Sequence, residues 1–440
     1  MASSPRHSPR AARPATAPDT PQTPRRHRLP AGTRLKGTRP ATLSLDAMQV
    51  ELVKRLKLSF LPEPWQLHTI SRILCGFDCI FLAGTGYGKS LIFEGLAALG
   101  GEGKVVIVIC PLKALERDQV AQAEEKGLDA VLINEDNTRS AGIWKRARTT
   151  AQLIYISPEM ASSQSFEKLW ADTRFRGRTT ALVVDEAHCA HEWGDDSFRP
   201  EYKELHLLRP YTGQEVPFVA CTATATTDTF ETIWTALGFG HRPFWGIDVG
   251  CTRPNLLFLI RAIKNEKNPV LDVLDLLPRA LDASTPRTAI KKSLLYFDSE
   301  ADCAKGVDTL RSALPPHLRN CVYSFSSGIS EAGKAECWRG FKEGRYRILC
   351  CTDAAGMGCN VADVEVTVVF GCPKTLAVLV QRWGRTARRR KLVGTCLLLV
   401  RKWAFRPPPP EVGAAVQRLK GMPKAKLEPK TWKELLKKEL

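Results

Sequence analysis

Ala83-Gly84-Thr85-Gly86-Tyr87-Gly88-Lys89-Ser90 follows the apolar run Cys79–Ala83 and opens a helix-like stretch. A glycine-rich turn between a strand and a helix lets backbone N–H groups converge on an anion at the positive end of the helix dipole. In that setting Gly84, Thr85, Gly86, Tyr87 and Gly88 form a phosphate cradle. Lys89 can reach the β- and γ-phosphates of a nucleotide, and Ser90 can ligate Mg2+. Ala83 stands where the strict pattern begins with glycine.

Outward from this turn, apolar runs alternate with helical lengths. The strand candidates are Cys79–Ala83, Val105–Cys110, Leu153–Ser157, Ala181–Val184 and Pro217–Cys221. A second series follows at Ser293–Phe297, Cys321–Phe325, Arg347–Cys351, Val364–Phe370 and Thr395–Val400. Short apolar runs separated by crossover helices predict parallel sheets. The fold class is therefore α/β, with two tandem domains that divide near Gly240–Asn255. Residues 265–291 read as a helix followed by a polar loop.

The pair Asp185-Glu186, within Asp185-Glu186-Ala187-His188, stands directly after the strand Ala181–Val184. A carboxylate at a strand end, facing a phosphate loop, can hold Mg2+, and its neighbour can polarise an attacking water. Thr222 and Thr224 follow the strand Pro217–Cys221, where small hydroxyls can couple the metal site to a nucleic-acid face; His188 joins them in that coupling role. Gln381-Arg382-Trp383-Gly384-Arg385-Thr386-Ala387-Arg388 spaces its arginines three apart, on one helical face. Arg385 and Arg388, offered across a cleft, can stabilise a transferring phosphoryl group, with Gln381 beside the nucleotide. Alone, this stretch would read as a solvated basic helix.

This ordered set resembles the superfamily 2 helicases over about residues 58–400. Three stretches narrow the resemblance to the RecQ family of DNA helicases. His188-Cys189-Ala190-His191-Glu192-Trp193-Gly194-Asp195-Asp196-Ser197-Phe198-Arg199-Pro200-Glu201-Tyr202 looks like that family's aromatic-rich loop. Pro111–Val120 is similar to its motif Ia, and Thr352–Asn360 resembles its motif V. The resemblance implies two RecA-like domains, over 46–243 and 244–403, around ATP and Mg2+. It also implies 3′–5′ movement on single-stranded DNA, with tailed or branched duplexes as substrates, and work in DNA repair or recombination. Gln66 falls where the family's adenine-reading glutamine lies, although Glu63, Pro64 and Trp65 replace the usual Arg-Pro-Gly, and the aromatic loop carries one extra residue between Gly194 and Phe198.

The loop's own chemistry agrees with a DNA contact. Trp193, Phe198 and Tyr202 offer faces for stacking bases, and Arg199 can pair with a phosphate or a carboxylate. The same aromatics could instead pack in an interdomain core. The family's zinc-ligating and winged-helix modules have no counterpart after Val400, which leaves open a translocase that does not separate strands. A non-hydrolysing DNA-binding remnant is a second alternative, and an RNA helicase is a third, disfavoured by the aromatic loop.

Composition fits this reading. The 440 residues suit two or three domains at roughly 150 residues each. No run approaches the roughly 18 consecutive apolar residues that a membrane-crossing helix needs, so no membrane association is expected. The net charge of +18 suggests a polyanionic partner. It is concentrated at the ends: residues 1–45, a Pro/Arg-rich tail, hold nine basic residues and one acidic. Residues 401–440 hold eleven basic and four acidic, with the polyproline run Pro407–Pro410 and a short helix candidate at Glu428–Leu440 in the second tail, 404–440. The cluster Arg25, Arg26 and Arg28 suits a nuclear address, and the scarcity of acidic residues leaves a mitochondrial one open. Fourteen cysteines include no C-x-x-C pair, so zinc is not expected, and Cys110, Cys221, Cys350 and Cys396 read as small buried hydrophobes.

Overall fold

The computed structural model describes residues 43–111, 113–192, 199–212, 215–355, 361–389 and 391–406. The two expected tails lie almost wholly outside these residues, as do Trp193, Phe198, the Gly356–Asn360 part of the motif V stretch and the helix candidate Glu428–Leu440.

Among the described residues two parallel sheets form. The first holds β1 (Asp78–Leu82), β2 (Val105–Ile109), β3 (Ala130–Ile133), β4 (Leu153–Ile156), β5 (Thr179–Val184), β6 (Phe218–Thr222) and β7 (Phe244–Asp248), in the order β3-β4-β2-β5-β6-β1-β7. The second holds β8 (Leu256–Ala262), β9 (Ser293–Tyr296), β10 (Val322–Phe325), β11 (Ile348–Cys351), β12 (Val366–Phe370) and β13 (Gly394–Val400), in the order β10-β11-β9-β12-β13-β8. The uninterrupted Val-Val-Ile-Val-Ile of β2 is buried at every position, because helices cover both faces of the sheet. Cys110, Cys221, Cys350 and Cys396 are fully buried in these cores.

Each of the ten expected strands is present, and three more appear. β3 is an edge strand of the first sheet, paired with β4. β7 and β8 are edge strands whose identity comes from pairing with β1 and β13. Because β7 pairs with β1, Phe244–Asp248 extends the first sheet, and the sheets part within 249–255, a few residues beyond the boundary expected at 243/244. The helix expected after residue 265 is a 3-10 helix, Pro269–Leu276. Asp272 accepts hydrogen bonds from the backbone N–H groups of Lys264 and Asn265. This ties the segment back on itself while Val270 and Val273 enter the core.

The strand order places β1, β5 and β6 side by side. Their carboxyl ends carry the glycine-rich turn, Asp185 and Thr222 together, at the edge where open α/β sheets bind ligands.

Candidate nucleotide site

The glycine-rich turn leaves β1 and feeds the helix Ser90–Leu99. Gly86 and Gly88 adopt φ of +88° and +79°, a region that side chains rarely enter. At Gly88 a Cβ would also lie 2.9 Å from Gln66 Nε2, so the cradle is closed to larger residues. Lys89 Nζ donates to the carbonyl of Ala83 at 3.2 Å, which folds the lysine back over the turn. Ala83 itself is fully buried, and a methyl group fits where the strict pattern has glycine.

Gln66 is oriented differently from the expectation. Its Nε2 donates to the carbonyls of Tyr87 and Gly88, both at 3.2 Å. Its Oε1 accepts from Glu63 N–H at 2.8 Å and closes the cap of the helix Pro64–Leu74. The donor–acceptor pairing that adenine requires would need these bonds to open. In this structure Gln66 braces the phosphate loop.

Asp185 is buried at the end of β5. Its carboxylate accepts from Gln119 Nε2 at 2.9 Å, from Cys221 Sγ at 3.0 Å and from Glu186 N–H at 2.9 Å. Burial raises its pKa and the charge of Glu186 adds to the rise, while Lys89 and the hydrogen bonds oppose it. Glu186 takes φ of +47°, a strained value for a side-chain-bearing residue. Burial works against its charge, but Lys89, His188, Arg385 and Arg388 outweigh that and hold its pKa below the usual carboxylate range. The strained residue therefore keeps an ionised carboxylate. His188 Nδ1 lies 3.5 Å from Glu186 Oε2 and 2.9 Å from Thr222 Oγ1. The Thr222 hydroxyl donates to Thr224 O and accepts from Thr224 N–H. The expected coupling residues thus form one continuous chain from Glu186 to the loop after β6.

From the second sheet, the helix Leu376–Trp383 leads into the arginine turn. Arg382 is buried; it pairs with Asp353 and Asp298, each at 2.9 Å, and lies over the Tyr296 ring. It holds the turn in place and stays within its own domain. Arg385 and Arg388 line a cavity of about 360 Å³ together with Gly86, Lys89, Asp185 and Glu186. Thr85, Gly88 and Ser90 also line it. Gln381 does not line it, and its buried Nε2 has no hydrogen-bond partner among the described residues. Gly384 allows the close approach, because a Cβ there would lie 2.8 Å from the Thr85 side chain. Ala387, between the two arginines, is held at φ of +44°. The donor set fits a nucleoside triphosphate with a divalent cation: Lys89, Arg385, Arg388 and a glycine cradle face one cavity, with Ser90 and the Asp185 carboxylate lining it.

Beyond this cavity the aromatic-loop residues separate. Arg199 donates to the carbonyl of Pro111 and pairs with Glu159 at 3.3 Å, so its partner is a carboxylate. Tyr202 is fully buried, in the cluster that contains Ala187, Cys189, Leu205 and Leu208. It cannot stack on a base, because its ring is consumed by the core. Glu116, on the helix Lys113–Glu125, is fully buried. Burial pushes its pKa up to about 7, against the opposing influence of the nearby Asn134 side chain and the Arg199 charge.

Sequence reading missed Gln119 and Cys221 as the groups that hold Asp185. Gln119 lies inside the motif Ia stretch, the one signal that could have pointed to it.

A cleft between two parallel sheets, with a phosphate cradle on one and arginines on the other, defines the tandem RecA-like architecture. The DEAD/DEAH box helicase family matches residues 63–233, and the helicase conserved C-terminal domain matches residues 273–390. The ATP-dependent helicase SGS1 of Saccharomyces cerevisiae is 30% identical over 343 residues, covering 74% of this chain and 22% of that protein. The RecQ-like DNA helicase BLM of Xenopus laevis is 29% identical over 337 residues, covering 73% of this chain and 23% of its own length. A putative ATP-dependent DNA helicase Q1 of Caenorhabditis briggsae is 27% identical, with 77% and 53% covered. The chain carries the helicase core of the RecQ family, and it spans only about a fifth to a half of these relatives. Among solved structures, the DUF1998 helicase MrfA bound to DNA superposes with a TM-score of 0.64 at 16% identity, over 84% of this chain and 50% of its own. S. cerevisiae Dbp5 bound to RNA and ADP BeF3 gives 0.63 at 17% identity, over 86% and 92%. Both share the fold. Among the described residues no helix is long and apolar enough to cross a membrane.

Proposed function

We propose that this chain is an ATP-dependent DNA helicase of RecQ type. It hydrolyses ATP with Mg2+, moves 3′ to 5′ on single-stranded DNA and unwinds tailed or branched duplexes, in repair or recombination within the nucleus. One observation carries the reading: a single cavity gathers Lys89, Ser90, Asp185 and Glu186 from the first sheet with Arg385 and Arg388 from the second.

The roles follow from the chemistry of each group. The cradle of residues 84–88 and Lys89 bind the phosphates, and Ser90 and Asp185 hold the cation. Mg2+, when bound, neutralises phosphate charge and orients the terminal phosphoryl group. Glu186, kept ionised by the surrounding cations, accepts a hydrogen bond from water and orients it for in-line attack. Arg385 and Arg388 stabilise charge that develops on the phosphoryl oxygens, an interaction strongest in the transition state. The chain from Glu186 through His188 and Thr222 to Thr224 links this site to the loop after β6 and can carry the signal that DNA is bound.

ATPase measured with and without single-stranded DNA tests the reading. Strong stimulation is expected, and Lys89→Ala and Glu186→Gln should abolish it. Equal rates with and without DNA would refute the motor. Displacement should occur on 3′-tailed duplexes and fail on 5′-tailed ones; stimulated ATPase with no displacement of either would replace unwinding by translocation alone.

A further inference from the structure

The segment joining the two sheets lies on the phosphate loop. Gly84 N–H donates to Gly250 O at 3.0 Å, and the Tyr87 hydroxyl donates to Thr252 O at 2.5 Å. A Cβ on Gly84 would lie 2.9 Å from Cys251 Cα, so the two backbones are in direct contact. Arg253, half-buried at the end of this contact, has donors directed both ways. Its Nη1 donates to Thr85 O at 3.0 Å, inside the phosphate loop. Its Nη2 donates to Thr386 O at 3.1 Å and to Ala387 O at 2.7 Å, inside the arginine turn. Asn255 supports it: Oδ1 accepts from Arg253 Nε at 3.3 Å, and Nδ2 donates to Ala387 O at 2.9 Å and to Leu392 O at 2.8 Å.

These bonds meet at a meaningful place. Thr386 and Ala387 lie between Arg385 and Arg388, and Ala387 is held at positive φ. Thr85 belongs to the loop that cradles the phosphates. One planar guanidinium therefore spans the two halves of the site without lining the cavity itself. A planar fork with fixed donor directions sets a distance and an angle, which a lysine ammonium cannot do.

We propose that Arg253 is a positioning residue for hydrolysis, a strut that sets the spacing between the phosphate loop and the arginine turn. Arg385 and Arg388 reach the phosphoryl group only when the joining segment is seated on the phosphate loop. This rests on the ATPase reading above and adds to it the element that reports cleft closure from one domain to the other.

The test uses the full chain. Arg253→Ala should lower the DNA-stimulated kcat at least tenfold and move KM for ATP less than threefold, because the arginine turn acts mainly in the transition state. Arg253→Lys should recover only a small part of the loss. The double variant Arg253→Ala/Arg385→Ala should be no slower than Arg385→Ala alone, since a strut has nothing left to position. Losses that multiply would overturn the proposal, and so would a fall in kcat of less than twofold. Amide hydrogen exchange supplies a readout that needs no activity: Arg253→Ala should speed exchange in the peptides covering 84–89 and 384–389 together, and unchanged exchange in either would overturn the strut. A wild-type protein with no ATPase would refute the proposed function, while the exchange experiment would still decide the strut.

Discussion

Glu116→Gln should make the protein more stable, and more so as pH rises. Glu116 is fully buried, and burial outweighs the opposing Asn134 side chain and pushes its pKa up to about 7 from 4.5. Below pH 4.5 folded and unfolded chains both carry the proton, and the contribution to stability is fully present. Between the two values the folded chain keeps the proton and the unfolded chain releases it, so stability falls as pH climbs. Above pH 7 both forms are ionised, and the loss has reached its limit of about 3 kcal/mol. Glutamine has no proton to lose, and its stability contribution is flat. Unfolding free energies from urea denaturation at pH 5 and pH 8 should therefore separate: the advantage of the variant should grow by about 2–3 kcal/mol across that range. Comparing the two pH values cancels any fixed difference between an amide and a carboxylic acid. Growth of less than about 1 kcal/mol would show that Glu116 finds a partner or water when ionised, and the reasoning from burial would fail. Arg199→Ala removes a cation that opposes the rise, and should widen the effect.

Two further outcomes follow from the packing. Tyr202→Ala should cost about 3–5 kcal/mol of stability, as expected for emptying a buried aromatic site, and thermal or urea unfolding reads it. If stability is unchanged while DNA stimulation of the ATPase falls, the ring is a base platform after all. Arg382→Ala should cost about 2 kcal/mol, since the guanidinium is buried while Asp298 and Asp353 are more than half exposed and can rehydrate. Full stability with lost ATPase would instead place Arg382 among the groups that touch the nucleotide.

The glycine turn and Asp185-Glu186 were legible because their meaning is local: each is a short pattern fixed by the strand before it. Their neighbours were not. Gln119 and Cys221 reach Asp185 from 66 and 36 residues away in sequence. Arg253 meets Thr386 across 133 residues. Position along the chain also leaves orientation open. Gln66 stands where the family pattern puts it, yet the cap at Glu63 and the carbonyls at Tyr87 and Gly88 take its amide. Tyr202 shares an aromatic-rich stretch with Trp193 and Phe198, but which way such a ring turns is decided by the helices packed around it. β7 and β8 escaped notice for a related reason: an edge strand is defined by its neighbour more than by its own residues.

Ala387 has a consequence for how this sequence can vary. Its φ of +44° already disfavours every side chain, and β-branched ones most. It is also fully buried, and Gly394, across from it, has no side chain to give up: a Cβ there would lie 2.8 Å from the Ala387 methyl and 2.4 Å from Thr386 Cγ2. Enlarging either position finds no room at the other, so no pair of compensating changes is open to the two. Drift at this turn is confined to alanine or glycine at 387 and glycine at 394. The spacing between Arg385 and Arg388 is thus protected by missing atoms, a constraint that persists however freely the surrounding charged residues are exchanged.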